Sequence, residues 1–124
     1  MSLVGRWQIV EMELWEQEDV DLVGPGFIEL DRDHRGSLGF IAVEGDVDWR
    51  EASRDGRPGV EFSWEGHDDG DRASGRAWAV REDDGSLRGH IYFHLGDDSG
   101  FRAEPGDEAR PKATNARGAS RGRR

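Results

Sequence analysis

Two runs of this chain alternate apolar and polar side chains with a period of two, and this limits what it can fold into more than any other feature. Val60, Phe62 and Trp64 alternate with Glu61, Ser63 and Glu65. Ile91, Phe93 and Leu95 alternate with His90, Tyr92 and His94. A period of two puts each set on its own face of a half-buried strand, whereas a helix repeats every about 3.6 residues. The stretches between such runs are rich in the residues that make tight turns: DHRG at 33–36, EG at 44–45, RDGRPG at 54–59, GHDDGD at 66–71, EDDG at 82–85 and GDD at 96–98.

These signals divide the chain into eight strands, at 4–13, 26–32, 37–43, 46–52, 59–65, 72–81, 86–95 and 99–103. Six short turns and one longer gap join them, which makes an all-β, antiparallel, up-and-down meander. With an even number of strands the last can pair antiparallel with the first, and closure into a small barrel would remove both exposed edges. A two-sheet β-sandwich is the alternative, because a hydropathy pattern does not encode closure. The longer gap, LWEQEDVDLVGP at 14–25, puts Trp15, Asp19 and Leu22 on one face of a short helix. That helix would lie across a barrel mouth as a lid.

A length of 124 residues suits one domain. Charge sets its boundary, since residues 1–104 carry a net −14 and residues 105–124 a net +4. The second segment, PGDEARPKATNARGASRGRR, has almost no apolar side chain larger than alanine to bury and is expected to be a disordered basic tail that folding does not need. With no cysteine there is neither a disulfide nor a thiolate site, and the start MSLVGRWQIVEMELW lacks a cationic segment followed by a long apolar run. A cytoplasmic protein without membrane attachment is the resulting expectation. Nucleic acid is not expected as a partner, because the acidic body would repel its phosphates.

The opening GRW, Gly5 to Trp7, at the start of a short meander resembles the G-x-W start of the calycin group, which includes lipocalins, fatty-acid-binding proteins and avidins. The resemblance implies a barrel whose end is closed by Trp7, with Arg102 as the arginine stacked on it. The segments EMELW, GFIAVEGDVDWR, FSWEG and GRAWAV, within Gly5 to Glu104, are similar to those of a family of small bacterial proteins that brings no established activity.

Metal chemistry finds little support. The acidic knot around Asp69 and the DRDHRG stretch both break the ligand spacing of a helix–loop–helix calcium site. His90 and His94 lie four apart on a strand, about 13 Å, too far for one zinc. No cofactor motif is present.

The remaining candidates are polar groups set among aromatics. If Trp78 faces inward so does Arg76, and Glu11 follows Trp7 and Ile9 into the same interior, where it would neutralise Arg76. His90, Tyr92 and His94 form one face of their strand, and Trp15 sits in the lid. The expected ligand site is therefore Glu11, Trp15, Arg76, Trp78, His90, Tyr92 and His94. Its expected function is noncatalytic binding of a small, partly apolar molecule in the barrel. Two alternatives are an acidic interaction module with a filled core and a basic protein partner, and a small enzyme using Glu11 with His90 or His94 as acid and base.

Overall fold

The structure, a computed structural model, describes residues 3–106. Its elements are β1 (Gly5–Met12), α1 (Gln17–Val20), β2 (Phe27–Leu30), β3 (Arg35–Phe40), β4 (Val43–Arg54), β5 (Arg57–Asp68), β6 (Asp71–Arg81), β7 (Leu87–Phe93) and β8 (Asp98–Pro105). Each strand pairs antiparallel with the next, and β8 returns to pair with β1, so the sheet closes into an eight-stranded barrel rather than a sandwich. The last strand runs past the expected boundary at 104: Pro105 pairs with Trp7, and the Gly106 N–H donates to the Arg6 carbonyl at 2.7 Å. The basic tail expected over 105–124 lies, from residue 107 onward, outside the described residues. Among the described residues no helix is long and apolar enough to cross a membrane.

Turn chemistry explains most of the reversals. Asp55–Gly56 and Asp69–Gly70 have φ of 56° and 77°, and 53° and 91°. Two successive left-handed residues make the mirror-image turn that matches strand twist. Because the Asp69–Gly70 turn stands on backbone geometry alone, replacing His67, Asp68 and Asp69 together with Ser, Asn and Asn should shift stability by no more than about 1 kcal/mol. Thermal melts would show it. A calcium-dependent rise in Tm of the parent protein, lost in the triple variant, would contradict it.

The expected turn at Glu44–Gly45 does not exist, since both residues lie inside β4. The chain reverses instead at Ile41–Ala42, with Ile41 at φ 55° and its N–H donating to the Val20 carbonyl at 2.7 Å. Gly45 serves packing: a Cβ there would lie 3.1 Å from the Trp64 ring. The β7–β8 reversal also differs from the expected GDD, as it includes Leu95, at φ 59° and 95% exposed.

The interior is filled. Trp7, Ile9, Met12, Leu38, Phe40, Trp49, Phe62, Trp64, Ile91 and Phe101 belong to one continuous buried cluster. On β6 the inward positions carry Ala77 and Ala79, both buried, so that Phe62 and Trp64 of the adjacent strand can cross the barrel. At the end where β1 begins, Trp7 is buried and its Nε1 donates to the Leu3 carbonyl at 2.9 Å. Trp49 Nε1 is bonded to the carbonyls of Asp31 and Arg35 and ties down the β2–β3 turn at the same end.

The opposite end is plugged by the segment between β1 and β2. Its helix is a single turn, too short to give Trp15, Asp19 and Leu22 a common inward face. Val20 is the residue that enters, fully buried, while Leu22 is exposed. Trp15 precedes the helix and lies 6.1 Å from Phe40 and 6.2 Å from Phe93, ring centre to ring centre. Asp21 fixes the exit of the segment by accepting from the Gly26 N–H at 2.8 Å.

Candidate functional site

The expected inward pair of Glu11 and Arg76 is not formed. A β-bulge between Ile9 and Glu11 inserts an extra residue into β1, which turns Glu11 outward and lets Met12 continue the buried face. Glu11 meets Arg102 at 3.6 Å, with its side chain 70% exposed. Arg102 therefore does not stack on Trp7. It is held by Glu104 at 3.1 Å, and that hydrogen bond, with Glu11 adding to it, raises its pKa above the ordinary value.

Arg76, Trp78, His90 and Tyr92 are brought together, but on the outside of the barrel. Arg76 faces Tyr92, and Trp78 faces His90, across β6 and β7. The orientation left open for this strand is outward for both Arg76 and Trp78, because the small residues Ala77 and Ala79 of β6 take the inward places. On the outer face the Arg54 guanidinium lies 3.9 Å from the Trp78 ring centre and that of Arg88 5.6 Å, contacts that cover an aromatic exposed on one side. His90 Nε2 is 2.5 Å from Asp98 Oδ2, and its ring stands 4.8 Å from that of Tyr92. Glu13, rather than Glu11, reaches this face, its Oε1 accepting from the Gly100 N–H at 3.1 Å.

His94 and Trp15 belong to the plugged end. There a depression of about 890 Å³ is lined on its apolar side by Val23, Pro25, Phe27, Ile41 and Ala73. Its polar lining includes Glu44, Asp46, Glu65, His67, Arg72, Ser74 and His94. A second depression of about 620 Å³ on the outer face shares Asp46, Glu65, Ser74 and His94 with it and adds Asp48, Ser63, Arg76 and Tyr92, so Arg76, Tyr92 and His94 of the expected site do line one surface. The strands bring these residues together by register: Asp46 stands opposite Glu65, and Glu65 opposite Ser74. Asp46 and Glu65 are like charges directly paired across two strands, which is unfavourable, and neither has an ion-pair partner among the described residues.

Glu65 and Ser74 were not singled out from the sequence as site residues. The signal that marks them is the glycines inside strands, Gly45, Gly66 and Gly75, which flag close approach of another group where turn residues are not needed. Among the described residues no group of three His, Asp or Glu side chains is placed to hold a metal ion. No family model matches the chain, and neither a curated protein nor a solved structure matches it.

Proposed function

We propose that the protein is a noncatalytic binding barrel that holds a small, partly apolar molecule at its rim, not in its centre. The observation that carries this reading is the depression of about 890 Å³, with an apolar side of Val23, Pro25, Phe27, Ile41 and Ala73 and a polar side of carboxylates and imidazoles. A volume of about 300–1,000 Å³ with a few polar groups on apolar walls is what small-molecule sites offer. The barrel centre, filled by Trp7, Trp49, Phe62 and Trp64, has given that role up. The closed eight-stranded meander with its G-x-W opening is compatible with the calycin likeness, which also implies binding. An enzyme built on Glu11 is less well supported, because its carboxylate is turned to Arg102 and away from the rim.

A fragment screen read by two-dimensional amide NMR tests the proposal. Binding fragments should move the amides of Gly39, Ser74 and His94 and leave those of Trp78 and His90 in place. Shifts confined to Trp78 and His90 would sink the rim reading. They would favour instead a protein-interaction surface on the outer face, where Tyr92 is 43% exposed beside Trp78.

A further inference from the structure

Near the rim, register sets the outward positions of the sheet in two rows. Phe27, Gly39, Glu44, His67 and Arg72 stand opposite one another in turn from β2 to β6, and Ser37, Asp46, Glu65 and Ser74 make the next row from β3 to β6. Asp46 and Glu65 are about 5 Å apart across the strands, and Glu44 is about 7 Å from Asp46 along β4. All three are exposed, and none takes part in an ion pair among the described residues. Arg72 is the single guanidinium lining the first depression and pairs with none of them, so the polar side keeps an excess of negative charge. The apolar side is equally uncovered. Val23 is 79% exposed and lines the depression with Pro25 and Ile41. Gly39 has no side chain, and the Phe27 ring lies over its place, 2.8 Å from where a Cβ would stand.

We infer that the rim depression takes an organic cation, a primary ammonium group on a short apolar body. The inference rests on the rim reading above and adds the class of ligand to it. The ammonium N–H groups donate to Asp46 and Glu65 and relieve the repulsion between two like charges paired directly across the strands. The apolar body then covers Val23, Pro25 and the Phe27 ring, which otherwise face water. Each competing class meets only part of this. A metal ion answers the charge but leaves the apolar side wet, and among the described residues no three acids or imidazoles are placed around one point. A neutral molecule covers the apolar side and leaves the carboxylates as they were. An anion meets three carboxylates for one guanidinium. The Phe27 ring already carries the Arg6 guanidinium, 3.9 Å from its centre, so the ligand's charge goes to the carboxylates and not to that ring.

The experiment uses the full chain and three probes of similar shape: 2-phenylethylammonium, 2-phenylethanol and 3-phenylpropionate. Titrations are followed by amide NMR. The ammonium probe should move the amides of Gly39, Asp46 and Glu65 and bind about tenfold more tightly than the alcohol, while the carboxylate probe should bind more weakly than either. In Asp46→Asn/Glu65→Gln, which keeps the shape and removes both charges, the ammonium probe should lose about tenfold in affinity and the alcohol should keep its own. A loss of fold would weaken both probes alike, so the difference between them reports the charges alone. If the alcohol binds the rim as tightly as the ammonium probe in the parent protein, the cationic class is wrong and the rim reading stands. Preference for the carboxylate probe would overturn the class in the same way, as would calcium chloride moving the same amides at lower concentration. No rim shifts with any probe at millimolar concentration would overturn the class and the rim reading together. Should the double variant not fold, the order of the three probes on the parent protein decides alone.

Discussion

Replacing Trp7 with alanine should lower stability by about 3 to 5 kcal/mol, the range for a large buried aromatic, and in so small a domain that is enough to threaten folding. Trp7 is 5% exposed, its indole N–H is paired to Leu3, and its strand makes the seam with β8 on one side and pairs with β2 on the other. Truncation there opens a cavity and leaves the Leu3 carbonyl without its partner. Trp15→Ala is the internal control. Trp15 is only partly buried and packs on Phe40 and Phe93 from outside the core, so about 1 to 2 kcal/mol is expected. Urea unfolding of the two variants gives the comparison. A negligible cost at Trp7 would remove it as the barrel end, and equal costs would make Trp15 a core residue rather than part of a plug.

A second large effect is expected from a single methyl group. In Gly66→Ala the new Cβ would fall on the backbone of β4, inside contact distance of the Glu44 carbonyl oxygen and 2.6 Å from the Gly45 Cα. Backbone in a paired strand has no rotamer to escape into, so β4 and β5 must separate locally, at about 3 kcal/mol. Gly39→Ala separates crowding by backbone from crowding by side chain. The atoms nearest its Cβ all belong to the Phe27 ring, the closest at 2.8 Å, and a side chain stacked under Arg6 can turn where backbone cannot. Less than about 1 kcal/mol is expected there. Equal denaturation midpoints for the two variants would show that the β4–β5 contact is not as close as described.

The eight strands and their order were legible because alternation and turn chemistry agree along most of the chain. Asp55–Gly56 and Asp69–Gly70 carry the residues that their backbone angles demand. Reading failed where packing overrides local preference. Ile41 turns the chain in a left-handed conformation that β-branched residues avoid, held by the Val20 carbonyl, while Gly45, which looks like a turn residue, lies in a strand beneath Trp64. The site was misplaced for the same kind of reason. Hydropathy ranks Trp78 above Ala77 for the interior, but in a narrow barrel the volume already taken by Phe62 and Trp64 decides, and it leaves room for alanine. The bulge in β1 has no signature in GRWQIVEM, and that one extra residue reversed the expected direction of Glu11.

Closure of the barrel has a consequence for how the chain reaches this shape. Seven of its eight strand pairings join neighbours in sequence and can form locally, but the seam of Gln8 with Glu104 and Ile9 with Ala103 joins the two ends of the domain. The entropy of closing so long a loop falls on that seam, and long-range pairing of this kind slows folding. During synthesis β1 and the growing last strand present open edges until β8 has emerged. Over that interval the chain is exposed to edge-to-edge association with another copy, a hazard that the finished barrel no longer carries.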